Sequence, residues 1–358
     1  MKSRVTAPAV AVVLALLAAG CGGGDSSPEP APPPPPPDGT PIASNSCEAF
    51  TTVTGSVTGN LASKASSPAG RSLSFSSVSQ PQSGTVSLTS TGGFTYTPSG
   101  HGQGKLDSFV YRVTDSTGLA AEATAQVIYG RTRIMPLGDS ITDGVETYTG
   151  ADGPAMNVRV GYRKKLYDRL TQEGYAVEFV GSANAGSAAG LAFPKHEGHS
   201  GFTQGQLVAG IDGWLAQNAP DVVLLHIGTN DVNQGSISAA ETSTLLGSID
   251  SWSAATTSPP VQLLLAKIIQ QRPDAPNDDD VPAFNADLTS KYNSNWATPK
   301  PKFKVNLVDM YSKLVPATDL SLAGQDSSGL HPNSIGYGKM ADAWYEYLVE
   351  NNAVTKCQ

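Results

Sequence analysis

The stretch Ile134-Met135-Pro136-Leu137-Gly138-Asp139-Ser140-Ile141-Thr142-Asp143-Gly144 constrains the fold more than any other part of the chain. It reads as a buried strand, a tight turn at Gly138 and a polar Ser-x-Thr leading away. A serine directly after a strand is ordinarily a helix cap, because its hydroxyl can accept a backbone N–H at the first turn. What lies downstream gives Ser140 a second reading.

From Arg131 onward, strand patterns alternate with helix patterns. Ile134 to Leu137 is the first strand and Val177 to Val180 the second. Asp221 to Ile227 is apolar almost throughout, as a strand buried on both faces must be. Val261 to Ile269 and Lys304 to Val308 complete the set. Between them Tyr162, Leu166 and Leu170 recur at helical spacing, as do Leu207, Ile211, Trp214 and Leu215, then Leu245, Leu246, Ile249 and Trp252. Asn333 to Asn351 closes the chain as a helix, with Ile335, Met340, Trp344 and Leu348 on one side. This βαβ alternation predicts an α/β domain, a flavodoxin-like parallel sheet with helices on both faces.

Sites in such sheets form at the carboxyl ends of the strands. There the chain places Gly138-Asp139-Ser140, then a loop running to His199-Ser200-Gly201-Phe202-Thr203, then Gly228-Thr229-Asn230-Asp231, and finally Gly329-Leu330-His331-Pro332. Ser140 and His331 supply a nucleophile and a base, and a serine needs an adjacent base to attack. The N–H groups of Ser140 and Gly201, with the Asn230 amide, supply an oxyanion hole. Each such donor contributes about 2.7–4 kcal/mol to lowering the barrier.

These blocks, Gly138 to Thr142, Gly201, Gly228 to Asp231 and His331-Pro332, resemble the ordered motifs of the SGNH, or GDSL-type, hydrolases. The resemblance runs from about Arg131 to the end of the chain. His196-Glu197-Gly198-His199-Ser200-Gly201-Phe202-Thr203, Leu265 to Ile269 and His331 to Tyr337 resemble carbohydrate esterase family 3 in particular. That likeness implies an acetyl xylan esterase acting on acetylated polysaccharide or a small ester, with no metal or organic cofactor. A general acyl-esterase would share every catalytic residue, and a non-catalytic carbohydrate-binding protein is the reading from a different class. The family's last block is Asp-x-x-His, yet Ser328 stands three residues before His331. Three readings follow: Asp326 reaches the histidine through a longer loop, a backbone carbonyl near Gly329 orients the ring, or the site is impaired. Phe202, Tyr148 and His199 are expected to touch substrate, since they sit in rim loops. His196 and His199 flank Glu197 without the His-Glu-x-x-His spacing of a zinc site, and His226 reads as a core histidine.

The segment from Thr40 to Gly130 is rich in Ser, Thr, Gly and Val and has no helical period. Leu73 to Phe75, Gly84 to Ser90, Phe94 to Thr97, Ser108 to Thr114 and Ala121 to Tyr129 read as strands of a small all-β sandwich. The runs around Gly93 to Pro98 and Asp107 to Asp115 resemble bacterial cadherin-like or Ig-like modules, which implies a spacer or adhesion role. No carboxylate cluster suited to calcium is evident there.

Lys2 and Arg4 precede an apolar run from about Ala7 to Ala19, too short to span a membrane. It ends in Leu17-Ala18-Ala19-Gly20-Cys21, which resembles a bacterial lipoprotein signal with Cys21 as the lipidated residue, an ordinary cleaved signal being the alternative. Pro32 to Pro37 then reads as a stiff polyproline spacer. The expected organisation is a leader over 1–21, a linker over 22–40, the sandwich over 41–130 and the hydrolase domain over 131–358. Membrane association is expected only through the lipid. The formal net charge of -8 argues against a nucleic-acid partner, which needs a basic surface. With Cys21 acylated, Cys47 and Cys357 remain as candidates for a disulfide in an oxidising compartment.

Overall fold

The computed structural model describes residues 39–51, 55–99, 104–146, 158–256 and 260–357. The expected leader and most of the linker, with Cys21, lie outside these residues, as does Tyr148.

Among the described residues the Ser/Thr/Val-rich segment forms nine strands: β1 (Ile42–Ala43), β2 (Ser46–Phe50), β3 (Val57–Asn60), β4 (Ala65–Ser66), β5 (Leu73–Ser77), β6 (Gly84–Leu88), β7 (Gly93–Pro98), β8 (Lys105–Asp115) and β9 (Ala120–Tyr129). A four-stranded sheet in the order β2-β9-β8-β5 faces a three-stranded sheet, β3-β7-β6. Alternate residues point inward, and Phe75, Phe94, Tyr96, Phe109, Tyr111 and Val113 fill the space between the sheets. Two buried tyrosines carry their hydroxyls to partners, Tyr96 to Asp107 Oδ2 at 3.0 Å and Tyr111 to the Ser44 carbonyl at 2.6 Å. A buried hydroxyl without a partner would cost about 1–3 kcal/mol, so each ring is placed with its oxygen at an acceptor. The sequence pattern located β5 to β9. The four N-terminal strands are too short or too polar to show a period.

Only Gly130 and Arg131 separate β9 from the next strand. Gly39–Gln358 form one compact unit. Cys47 on β2 is disulfide-bonded to Cys357, 310 residues away and next to the C-terminus. The bond therefore links the first sheet of the sandwich to the end of the α/β domain.

That domain contains β10 (Thr132–Gly138), β11 (Val177–Phe179), β12 (Ala183–Asn184), β13 (Lys195–Gly198), β14 (Val222–His226), β15 (Val261–Ala266) and β16 (Phe303–Val308). Its helices are α1 (Ser140–Asp143), α2 (Arg163–Gln172), α3 (Gln204–Asn218), α4 (Thr229–Asn233), α5 (Ala240–Ala255), α6 (Val281–Asn295), α7 (Pro316–Asp319) and α8 (Ser334–Glu350). The sheet order is β12-β13-β10-β14-β15-β16, with β11 also on β10. All pairings are parallel except β12 with β13. Two strands share one side of β10: Thr132 to Ile134 pair with β11, whereas Leu137 and Gly138 pair with β13.

Both faces are covered, as the apolar β14 requires. Val222 and Leu224 join the core under α2 and α8, while Val223 and Leu225 join the core under α3, α5 and α6. Trp344 on α8 is fully buried, but Ile335 is 59% exposed, because it is five residues before Met340 and so lies off the stripe formed by Tyr337, Met340, Trp344 and Leu348. Two elements correct the expected layout. The segment after β11, expected to be a loop, contains β13, whose sequence Lys-His-Glu-Gly has no apolar alternation. Helix α6 follows a single helical turn at Asp278–Asp280, in a stretch to which the sequence pattern assigns no element.

Candidate active site

β10 and β14 are adjacent, and the connections from their carboxyl ends leave toward opposite faces of the sheet. This is where strand order reverses, the crevice in which such sheets bind ligands. Gly138 lies at the end of β10 because nothing larger fits. A Cβ there would stand 2.2 Å from the His226 carbonyl oxygen of β14. After it, Asp139 caps α1, its Oδ1 accepting the Ile141 N–H at 2.9 Å. The cap is thus Asp139 and not Ser140, which leaves the Ser140 hydroxyl for other work. Ser140 is the first residue of α1, where a backbone N–H has no intrahelical acceptor.

The other side of the site comes from the segment before α8. His331 Nε2 lies 2.8 Å from Ser140 Oγ. His331 Nδ1 lies 3.2 Å from Asp326 Oδ2 and 3.3 Å from Ser328 Oγ. Ser328 Oγ in turn donates to Asp326 Oδ1 at 2.6 Å, so its lone pairs are left to face the ring. This network places the ring proton on Nδ1 and leaves Nε2 to accept from Ser140. Asp326 also accepts the backbone N–H groups of Leu330 and His331, at 3.1 and 3.0 Å. Burial by itself would raise the Asp326 carboxyl. The His331 ring, the Ser328 hydroxyl and the His331 N–H outweigh it and hold the group below the usual carboxylate range. The Gly329 carbonyl, the alternative partner for the ring, instead accepts from Arg272 N at 2.9 Å.

Gly201 occupies the third position of a turn closed by Phe202 N–H on the His199 carbonyl at 3.1 Å. Its φ of +83° is the conformation that glycine adopts without steric cost. Asn230 is the second residue of α4, and one of its two amide hydrogens goes to the Phe202 carbonyl at 2.9 Å. That bond orients the amide and leaves the other hydrogen for a ligand. Asp231 braces the neighbouring elements, accepting the Gln204 N–H at the start of α3 at 3.1 Å.

A cleft of about 380 Å³ brings Ser140, Gly201, Asn230, Ser328 and His331 together. Arg159, Ser200 and Asn233 line it as well, residues to which the sequence reading gave no role. Behind them Asp143 Oδ2 accepts from Arg159 Nη1 at 2.7 Å and from Ser200 Oγ at 2.9 Å. Arg163 is fully buried and donates to four backbone carbonyls, those of Thr142, Asp143, Ala185 and Arg159, at 3.0–3.1 Å. Burial lowers its guanidinium to about 10, still charged at neutral pH. A signal for it exists in the sequence: Arg163 stands three and seven residues before Leu166 and Leu170, on the buried face of α2.

His199 and Phe202 do not line the cleft. The His199 ring is stacked between Phe202 and Trp214, with centroids 4.8 and 4.5 Å away. Its Nε2 is held at 2.9 Å by the buried Glu197 carboxylate. The ring is thus turned into this stack, outside the residues that line the cleft. Phe202 contributes its carbonyl, through Asn230. His196 is buried, accepts the Gly198 N–H at 3.0 Å and is neutral, since burial holds it far below the usual histidine value. His226 is buried within the sheet and accepts the Ile269 N–H at 3.3 Å. Asp309 lies 3.7 Å from Lys267 and away from the cleft.

Residues 137–339 match the GDSL-like lipase/acylhydrolase family, more than half of the chain, and residues 38–128 match a bacterial Ig domain. A multidomain esterase of Ruminococcus flavefaciens is 31% identical over 243 residues, covering 61% of this chain and 28% of that protein. The chain thus spans less than a third of this relative's length. A family 3 carbohydrate esterase of Clostridium thermocellum is 32% identical, with 62% of this chain and 96% of that one covered and a TM-score of 0.49. A family 3 carbohydrate esterase of Talaromyces cellulolyticus is 26% identical, with 62% and 97% covered and a TM-score of 0.45.

Proposed function

The chain belongs to the GDSL-like lipase/acylhydrolase family, and from that membership we propose that it is a serine ester hydrolase that removes acetyl groups from a polysaccharide. The observation that carries the reading is the 2.8 Å approach of Ser140 Oγ to His331 Nε2 beside two further donors. Ser140 attacks the ester carbonyl as His331 takes its proton. Asp326, with Ser328, holds the ring and favours the imidazolium that forms. The oxyanion is received by the N–H groups of Ser140 and Gly201 and the free hydrogen of the Asn230 amide. His331 returns its proton to the departing alcohol, and water then releases the acyl group by the same steps reversed. Each role falls to a side chain or backbone group of this chain.

The acetyl and polysaccharide parts of the reading rest on the likeness of His196 to Thr203 and His331 to Tyr337 to carbohydrate esterase family 3. The esterase relative supports the reaction class. The leader pattern ending at Cys21 and the Ig-like domain support a place outside the cytoplasm, anchored by lipid at the cell envelope. The test compares hydrolysis of acetylated xylan with that of short and long p-nitrophenyl esters, together with fluorophosphonate labelling of wild type and Ser140→Ala. Release of acetate and labelling that depends on Ser140 are expected. Preference for long acyl chains would replace the deacetylase reading with a general acyl-esterase, and no hydrolysis with no labelling would leave a binding protein.

A further inference from the structure

We propose that Arg159 and Ser200 form the subsite for the alcohol half of the ester, selecting a neutral, hydroxyl-rich leaving group, and that Asp143 is the residue that positions them. The proposal rests on the esterase reading and specifies what that same cleft selects.

An acetyl group has one carbonyl oxygen, which the oxyanion donors take, and a methyl group, for which the cleft supplies Val145 and Leu330. It has no use for a guanidinium, a hydroxyl and a further amide. Polar side chains beyond the oxyanion hole therefore serve the other half of the ester.

Arg159 is held at both its ends. Its carbonyl accepts from Arg163 Nη2 at 3.0 Å, and its guanidinium is held by Asp143 at 2.7 Å. The Asp143 side chain is 5% exposed and the Arg159 side chain 17%. Desolvating such a pair offsets much of its own attraction, so an ion pair of this kind is weak support for the fold itself. At a cleft wall it instead fixes a planar donor fork. Ser200 donates its proton to Asp143, so its Oγ offers lone pairs to a ligand. The wall thus sets a donor beside an acceptor, both fixed by one carboxylate. A sugar hydroxyl, which both accepts and donates, fits that pairing. The charge of Arg159 is balanced by Asp143, which favours a neutral polyol over an anionic group.

The experiment measures kcat/KM of the full chain on an acetylated xylo-oligosaccharide and on p-nitrophenyl acetate, whose leaving group has no vicinal hydroxyl. Arg159→Ala should lower the ratio of the two by about 10-fold or more, the range of a lost hydrogen bond to a charged group. Arg159→Lys keeps the charge without the fork and should fall between, and it carries the comparison if Arg159→Ala does not fold. Asp143→Asn should shift the ratio in the same direction, mainly through KM for the sugar ester. A ratio that stays constant in both Arg159 variants, whether the two activities fall together or not at all, overturns the proposal. Wild type that cleaves p-nitrophenyl acetate but no sugar acetate overturns the subsite alone. Wild type that cleaves neither removes the esterase reading, and the subsite with it.

Discussion

Asp326 meets His331 from five residues upstream, its Oδ2 3.2 Å from the ring Nδ1 and 3.0 Å from the same residue's backbone N–H. One carboxylate thereby fixes both the ring and the main chain that carries it. Ser328, which stands where the family pattern has aspartate, donates to that carboxylate and faces the ring.

Asp326→Asn should therefore lower kcat by about 10²- to 10⁴-fold, the cost seen when the acid behind a catalytic histidine is removed. Ser328→Ala should cost far less, under about tenfold, because the carboxylate remains. Steady-state kinetics on p-nitrophenyl acetate decides between them. Near-normal turnover in Asp326→Asn would assign the ring's orientation to another group.

Asn230→Ala removes one proposed oxyanion donor and leaves the Phe202 carbonyl without its partner. The expected loss is about 10²- to 10³-fold in kcat with KM little changed, since the donor acts on charge that develops only in the transition state. An effect confined to KM would place Asn230 in ground-state binding.

The Asp139 carboxyl is buried, and burial raises it to about 7 against the Ile141 N–H and His331, which lower it. A folded value above the unfolded one stabilises the fold at acid pH, and that stabilisation is lost as pH rises through about 7. His226 has the opposite sense: burial lowers it to about 4, so its contribution is present above the ordinary histidine value and lost as pH falls toward about 4. Asp139→Asn keeps an acceptor for Ile141 N–H and removes the first titration only. Its stability relative to wild type should rise by about 2–4 kcal/mol between pH 4 and pH 8 in urea unfolding. A difference that is flat with pH would show that this carboxyl does not titrate in the fold.

Reducing the Cys47–Cys357 bond, or replacing both residues with serine, releases a link that spans 310 residues. The expected loss is about 2–5 kcal/mol of stability, seen as a lower thermal midpoint, with ester hydrolysis retained at 25 °C. Equal midpoints with and without reductant would contradict it.

Arg163→Met deprives four carbonyls of their donor, the buried ones of Thr142, Asp143 and Ala185 and the half-buried one of Arg159. The cost should reach at least about 3 kcal/mol, because unsatisfied buried acceptors lose solvation as well as their bonds. Activity should fall with it, since two of the carbonyls belong to the helix that carries Ser140.

Ser140, Gly201, Asn230 and His331 were legible for one physical reason. Each sits at a polar, glycine-bearing break beside a buried strand or the last helix, where apolar periodicity stops abruptly. Elements whose burial is polar were not. β13 is covered by a network around Glu197 that includes Ser182, His199 and Asn218, so no hydrophobic alternation marks it. In α6 the spacing of Val281, Phe284 and Leu288 is helical, but Pro282 reads as a breaker. It lies in the first turn, where its missing N–H has no partner to lose. Arg159 and Asp143 lie 16 residues apart, and only the folded chain shows that they pair. The route by which Asp326 reaches His331 depends on loop conformation, which residue spacing does not encode.

The division of one side of β10 between two partners has a mechanical consequence. β11 braces the start of the strand, and β13 braces its end and leads into the Gly201 turn. The residues between them, 180–194, include β12, which pairs with β13 at the edge of the same sheet. The same residues are tied inward, Ser182 to Glu197 of β13 and the Ala185 carbonyl to Arg163 of α2. β10 is therefore pinned at both of its ends, so a shift of β13 moves the Gly201 turn while β11 and β14 still hold the strand that leads to Ser140.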